Sequence, residues 1–381
     1  MRFATKCVHA GVHPDAEHGA VMPPLYLSST YSFADFGKPR RFDYSRSGNP
    51  TRQALEDALA ALEGGVRGFA YATGMAAESA TLALLSAGDH LVVHDDLYGG
   101  TYRLITSVTA RMGVQVDFAD LRDPAALVKA LKPNTRMVWL ESPTNPLMNL
   151  LDLAALATTC KAKGVLSVCD NTFLSPFFQR PLDLGIDIAL HSTTKYINGH
   201  SDVVGGGVVV KDAQLAERVG FLQNALGVPQ APHDCYLVMR GLKTLPLRMK
   251  AHHDNAVRLA RWLERHPAVS AVHHPWLESH PQHALAKRQM TGGGGTFSFR
   301  LKGGNEASRR LLTSTRLFVL AESLGGVESL IEHPWTMTHV SMPEDVRRRV
   351  GITEDLIRIS VGIEDPEDLE ADLAQALERR L

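Results

Sequence analysis

Apolar positions along this chain follow two different spacings. From Thr51, the stretch TRQALEDALAALEGG carries Leu55, Ala58, Leu59 and Leu62 at helical intervals and ends in two glycines, which predicts a helix with a glycine stop. GMAAESATLALLSAGD predicts a second helix, with Gly88 as its C-terminal stop. Short apolar runs then alternate with helical ones. Strands are predicted at HLVVH (90–94), VQVDF (114–118), RMVWLE (136–141), VLSVCD (165–170), IDIAL (186–190) and GGVVV (206–210), with helices over about 99–112, 123–131 and 152–163. Runs this apolar suit strands buried on both faces, so the alternation predicts a mostly parallel sheet covered by helices.

The pattern changes at either end. Residues 1 to about 48 hold MPPLYLSSTYSF and FDYSRSGNP, rich in Pro, Ser, Gly and Tyr, and predict neither helix nor sheet. An ordered arm of this kind is expected to lie on another surface, such as a partner subunit. Beyond about residue 244 a long helix is predicted in RMKAHHDNAVRLARWLERHP, then strands in TFSFRL and LIRIS, then a closing helix from Pro366. The 381 residues therefore divide into an arm (1–48), a large domain (49–244) and a smaller α/β domain with an antiparallel sheet (245–381).

Composition narrows the class. Hydrophobic residues make up 44% and charged residues 21%, as in an ordinary globular protein. A formal net charge of −1 gives no electrostatic case for a nucleic-acid partner. No apolar run approaches the roughly 18 residues a membrane span needs. The first twenty residues lack the apolar core of a secretory signal, and the four cysteines form no CxxC pair. A cytoplasmic protein with free thiols is the expectation.

In open α/β sheets, ligands sit beyond the carboxyl ends of the strands, and the residues there form a chemical set. HSTTKYINGHSDVVGG (191–206) brings Lys195 next to Ser192 and Thr194. Asp170 and Asn171 end another strand, SPTNP with Asn145 follows a third, DDLYGG with Tyr98 follows a fourth, and Gly74 and Met75 open a helix. Pyridoxal phosphate needs these groups. Its aldehyde takes a lysine, its ring nitrogen a carboxylate that keeps it protonated, and its phosphate the amides of a helix start plus hydroxyls. Lys195, Asp170, the amides of Gly74 and Met75, and the hydroxyls of Ser192 and Thr194 answer each need.

Other cofactors fit less well. Neither GxGxxG after a first strand nor GxxxxGK[ST] occurs, so dinucleotide and P-loop cradles are lacking. Seventeen histidines include the pairs His252–His253 and His273–His274, but no HExxH or Cys/His cluster, and no metal is expected.

Several segments together resemble the Cys/Met-metabolism (trans-sulfuration) family of pyridoxal-phosphate enzymes: YSRSGNPT (44–51), ESPTNP (141–146), CDNTF (169–173), HSTTKYINGHSDVVGG (191–206) and LAESLGGVESL (320–330). The resemblance runs from about residue 5 to the C-terminus. It implies the aspartate-aminotransferase-like fold (fold type I), with a large, mostly parallel seven-stranded sheet domain and a smaller C-terminal α/β domain. It also implies a homotetramer built as a dimer of dimers. Carried over by position, it implies that Lys195 bonds the aldehyde and shuttles protons, that Asp170 pairs with the ring nitrogen, and that Gly74, Met75, Ser192 and Thr194 bind phosphate. Tyr44 and Arg46 would bind the phosphate of the neighbouring subunit's cofactor. Tyr98 would stack on the ring and offer a base. Asn145, Ser323 and Arg358 would line the substrate's side, with Arg358 gripping its α-carboxylate.

Within the family, Glu322 before Ser323 resembles the γ-lyase and γ-synthase pattern, where a carboxylate can hold the distal ammonium of cystathionine. DDLYGGTYRL lacks the cysteine that methionine γ-lyases tend to carry there. DYSRSGNPTR, YGGTYR and LAESLGG read most like γ-lyases. The expected activity is cystathionine γ-elimination, with hydrogen sulfide release from cysteine as a side activity. Cystathionine γ-synthase is the alternative, and methionine γ-lyase and cystathionine β-lyase are more distant ones. An aminotransferase and a non-catalytic binding protein are the readings from other classes, and the intact Lys195 and Asp170 argue against the second.

Overall fold

The structure is a computed structural model, and it describes residues 1–378. The last three residues of the expected C-terminal unit lie outside the described residues.

Seven strands form the larger sheet: β1 (Arg67–Tyr71), β2 (His90–His94), β3 (Gln115–Ala119), β4 (Thr135–Glu141), β5 (Leu166–Asp170), β6 (Ile188–Ser192) and β7 (Gly206–Val210). Their order is β1-β7-β6-β5-β4-β2-β3, with β7 antiparallel to both neighbours and the other pairs parallel. Alternate residues of one strand serve opposite cores. Val93, Trp139 and Val168 pack on one face, and Val92, Val138, Leu140 and Cys169 on the other. Burial on both sides explains the uninterrupted apolar runs, each such side chain contributing about 1.5–3 kcal/mol.

The helix at Pro50–Glu63 forms as its sequence predicts. Asn49 accepts from the amides of Thr51 and Arg52, Pro50 fills the first turn, and Gly64 closes it at φ +79°. Three predicted elements differ. The helix opening at Gly74 stops at Leu82, where the amides of Leu84 and Leu85 tighten onto the third carbonyl back, so Gly88 belongs to the turn into β2. The 99–112 stretch splits into an α turn (Gly99–Leu104), a wider turn (Ile105–Thr109) and a tighter one (Ala110–Met112). The strand expected at 186–190 runs over Ile188–Ser192, so Ser192 closes a strand.

Five further strands form the second sheet: β8 (Val269–His273), β9 (Thr296–Leu301), β10 (Val319–Leu320), β11 (Leu330–Glu332) and β12 (Leu356–Ser360), in the order β10-β11-β12-β9-β8. All its pairs are antiparallel except β10–β11. The 20-residue helix Leu245–Glu264 packs along it and buries Ala256, Leu259, Ala260 and Leu263 against Phe297, Phe299 and Ile357. His252 and His274 are core residues here; His252 Nδ1 donates to Val361 O at 2.7 Å, and the His274 ring meets Phe297 edge-on.

The N-terminal stretch is not wholly irregular, because Phe3–His9 is helical and buries Cys7. Lys6 Nζ donates to Ala61 O at 3.0 Å, and Phe3 meets Phe177 edge-on, which pins this helix to the large sheet's covering layer. Residues beyond it leave large apolar groups bare: Val21 is 83% exposed, Leu27 68% and Phe36 100%. All four cysteines are free and buried.

Candidate active site

The register of the large sheet aligns three strand ends. Glu141 on β4 lies opposite Asp170 on β5, and Asp170 opposite Leu190 on β6. The turn after β6 then carries Lys195 over them. These groups line one cavity of about 370 Å³, with walls from Gly74, Met75, Tyr98, Asn145, Asp170, Ser192, Thr194, Lys195, Glu322, Ser323 and Arg358. Eleven of the thirteen residues singled out by sequence thus meet in one place. The other two, Tyr44 and Arg46, are absent from the lining of their own chain's cavity. Both are exposed; the Arg46 guanidinium stacks 5.3 Å from the Tyr44 ring centre, and its Nε donates to Asn224 Oδ1 at 3.1 Å.

Lys195 Nζ donates to Ser323 Oγ at 2.7 Å. Burial, reinforced by the nearby Arg358 charge, lowers its pKa to about 8. Ser323 has φ +96°, in the left-handed region a residue with a side chain seldom occupies. That backbone turns both its groups inward, since its hydroxyl meets Lys195 while its carbonyl accepts from Arg358 Nη2 at 2.9 Å. Strain of this sort persists where surrounding contacts over-determine it.

Asp170 is held by Thr172, whose amide donates to Oδ1 at 2.8 Å. Burial raises its pKa against the opposing Thr172 contacts. The Thr172 hydroxyl also accepts from the Ser192 amide at 2.8 Å, tying the acid to the hydroxyl cluster. Glu141, buried beside Asp170, accepts from the Tyr98 amide at 3.0 Å and the Asn145 amide at 2.7 Å, so one carboxyl positions two wall residues. Burial raises the Tyr98 hydroxyl pKa, and it keeps its proton at neutral pH.

The remaining wall is a helix start. Thr73 Oγ1 accepts from the Ala76 amide at 2.8 Å, which leaves the amides of Gly74 and Met75 without an intrahelical carbonyl. A Cβ at Gly74 would lie 3.0 Å from Ser192 Cβ and 3.1 Å from its Oγ, so only glycine keeps the space between helix and hydroxyl open. Thr194 Oγ1 bonds back to Gly205, accepting from its amide at 2.9 Å. The groups present fit pyridoxal phosphate: a partly neutral amine for the aldehyde, a fixed acid for the ring nitrogen, and amides with hydroxyls for the phosphate.

Sequence reasoning missed Glu78, Glu141, Thr172 and Glu332. Glu141 and Thr172 stand inside the quoted ESPTNP and CDNTF segments, and their position at strand ends was a usable signal. Glu78 and Glu332 gave none, because an acid in a helix or a short strand reads as solvent-facing.

Comparison with known proteins agrees with this chemistry. The family model described as Cys/Met metabolism PLP-dependent enzyme matches residues 4–378. A cystathionine beta-lyase of Coxiella burnetii is 51% identical over 98% of this chain and 97% of its own. A cystathionine gamma-synthase of Mycobacterium bovis is 51% identical over 98% of this chain and 96% of its own. The solved cystathionine gamma-lyase of Lactobacillus plantarum, complexed with L-serine, superposes with a TM-score of 0.97 at 46% identity, covering 99% of this chain and 98% of that one.

Proposed function

The chain belongs to the Cys/Met-metabolism family of pyridoxal-phosphate-dependent enzymes, and from that premise we propose that it cleaves L-cystathionine by γ-elimination. Cystathionine and water give cysteine, 2-oxobutanoate and ammonia. The observation that carries the choice of cystathionine as substrate is Glu322, an exposed carboxylate on the cavity wall, beside the serine that holds Lys195. From there it can pair with the substrate's distal ammonium.

When bound, the cofactor supplies an electrophilic aldehyde and a ring that accepts an electron pair. The chain supplies the rest. Arg358 takes the α-carboxylate, aided by Asn145. Lys195 Nζ moves the Cα and then the Cβ proton; with a pKa of about 8, roughly a tenth of it is neutral at pH 7. Asp170 holds the ring nitrogen's proton in place, and Tyr98 covers the ring. Gly74, Met75, Ser192 and Thr194 hold the phosphate. We place Tyr44 and Arg46 at the phosphate of a partner subunit's cofactor, in a homotetramer of two dimers working in the cytoplasm.

The relatives' names support two further readings, β-elimination and γ-replacement. A product panel separates all three. Cystathionine giving 2-oxobutanoate and cysteine supports γ-elimination; pyruvate and homocysteine would replace it with β-elimination. O-succinylhomoserine and cysteine giving cystathionine, with cystathionine itself untouched, would make it a γ-synthase. Stoichiometric amino transfer to an oxo acid without ammonia would mark an aminotransferase. Glu322→Ala is expected to lower kcat/KM for cystathionine by roughly 10- to 100-fold, as for a lost charge-assisted contact, mainly through KM. O-acyl homoserines, lacking the distal ammonium, should lose less. Equal losses on both would remove the ammonium role.

A further inference from the structure

Arg358 reaches the cavity already paired. Its partner is Glu332, across the sheet: β11 and β12 run antiparallel with Glu332 directly opposite Arg358. Glu332 Oε1 lies 2.9 Å from Arg358 Nη1, and both side chains are about 98% buried or more, at 1% and 2% exposure. Thr338 Oγ1 donates to the same Oε1 at 2.9 Å. Oε1 thus accepts from a hydroxyl and faces a cation, and among the described residues Oε2 has no partner to which it could donate a proton. Both facts suit an ionised carboxylate. Burial raises its pKa above the usual carboxylate value, and the facing Arg358 charge is the largest opposing influence.

Arg358 is otherwise fastened on two sides, since Nη1 donates to Asn145 Oδ1 at 3.0 Å and Nη2 to Ser323 O at 2.9 Å. A guanidinium has five N–H donors. Two are thereby engaged in hydrogen bonds while Nη1 also faces Glu332, and a donor on Nη2 and the one on Nε, which has no partner among the described residues, are left for a carboxylate. Glu332 is not itself among the cavity-lining residues. A buried cation with no anion would cost heavily before any substrate arrived. With Glu332 in place, an incoming carboxylate finds its arginine already neutralised and meets a second negative charge behind it.

We propose that Glu332 is a built-in counter-ion for the substrate-carboxylate arginine: it holds the Arg358 guanidinium in position while the site is empty and weakens its grip on the α-carboxylate. Glu332 is thus a positioning residue that sets affinity through Arg358. The proposal rests on the reading that Arg358 takes the α-carboxylate. Glu332→Gln keeps an oxygen for the arginine to donate to and removes the charge, separating position from attenuation. The sign is informative. A merely structural ion pair, once broken, lowers stability and leaves carboxylate recognition unchanged or poorer; a counter-ion, once neutralised, makes carboxylate binding tighter.

The test compares glycine with methylamine on the cofactor-loaded protein. The two share an amine, and only glycine has a carboxylate. Binding is read from the change in the cofactor's visible absorbance, without turnover, and from the rise in melting temperature at saturating ligand. In Glu332→Gln, glycine should bind at least about threefold tighter, a modest share of what a removed unit charge can exert at short range, and should raise the melting temperature more than in wild type. Methylamine should be unaffected. Unchanged or weaker glycine binding, or an equal shift for methylamine, overturns the proposal. Should the glutamine variant not fold, Glu332→Asp retains the charge but withdraws it by one methylene; glycine should again bind tighter, by less, and weaker binding overturns the proposal. Arg358→Gln separates the two levels. If it reduces glycine binding to the methylamine level while the Glu332 variants move the wrong way, only the counter-ion idea fails; if it leaves glycine binding intact, the carboxylate role of Arg358 fails.

Discussion

Glu78 sits one helical turn beyond Gly74, 3% exposed, on the wall that also holds Asp170, and its Oε2 has no hydrogen-bond partner among the described residues. Burial, then the Asp170 charge, pushes its pKa up from 4.5 to about 8. The sign for stability follows. Between pH 4.5 and about 8 the folded chain keeps a proton on this carboxyl that the unfolded chain releases, so stability falls as pH rises through that window and the full loss is reached above it. Asp170 and Glu141 are raised by burial too and act in the same direction. Glu78→Gln removes one such titration and keeps the shape. Its melting temperature should therefore fall less steeply than that of wild type over the window ending at about 8. Parallel curves for the two proteins would mean that Glu78 is ionised throughout. None of this was legible in the sequence, since GMAAESATL offers Glu78 as an ordinary polar position, and only the fold turns it inward. Lys195 and Asp170 were legible because an acid ends one strand and a lysine flanked by hydroxyls follows another, and the carboxyl ends of both strands must face one ligand.

Elements were readable where burial dictated composition. The central strands are covered on both faces, and their apolar runs stand out. β1 (Arg67–Tyr71) was missed because RGFAY opens on an exposed arginine and a glycine, and its place between the helix and β7 is set by pairing with Gly206–Val210. That glycine is needed, since a Cβ at Gly68 would lie 2.3 Å from Glu56 O. The helix at Phe3–His9 was missed because seven residues show too little periodicity, and its stability comes from packing beneath Cys7 and Phe3. The element most tied to function is the helix Gly74–Leu82, whose first amides face the cavity and whose start is fixed by Thr73. Replacing that cap, Thr73→Ala, should cost about 1 kcal/mol and fray the first turn. Cofactor retention is the sharper readout. On dialysis against phosphate buffer the variant should lose its visible absorbance faster than wild type, because the unfastened amides of Gly74 and Met75 hold the phosphate less well. A lowered melting temperature with unchanged retention would show that the amides keep their aim without the cap.

At the scale of the whole molecule, the arm is the part that a single chain does not explain. Residues 10–48 carry bare apolar groups that include Leu27, Phe33 and Phe36, and their few internal contacts are hairpin-like bridges such as Thr30 to Tyr44. Apolar groups left in water forgo burial worth about 1.5–3 kcal/mol each, which a second copy of the chain would restore. The two residues that the family resemblance assigns to a phosphate, Tyr44 and Arg46, lie on this arm and not on their own cavity wall. Our prediction is that they complete the site of a partner subunit. A Lys195→Ala chain has a sound arm and a dead site; an Arg46→Ala chain has a sound lysine and a defective arm. In a mixed dimer, the Arg46→Ala chain's lysine meets the other chain's intact arm, and one site of the two works. Random mixing makes half the dimers mixed, so equal amounts should recover about a quarter of the wild-type sites under two-fold exchange, well above either variant alone. Activity should rise with the fraction of mixed dimers measured by native mass spectrometry. If mixed dimers form and activity stays at the level of the separate variants, the arm serves its own chain, and the exposed apolar groups need another partner.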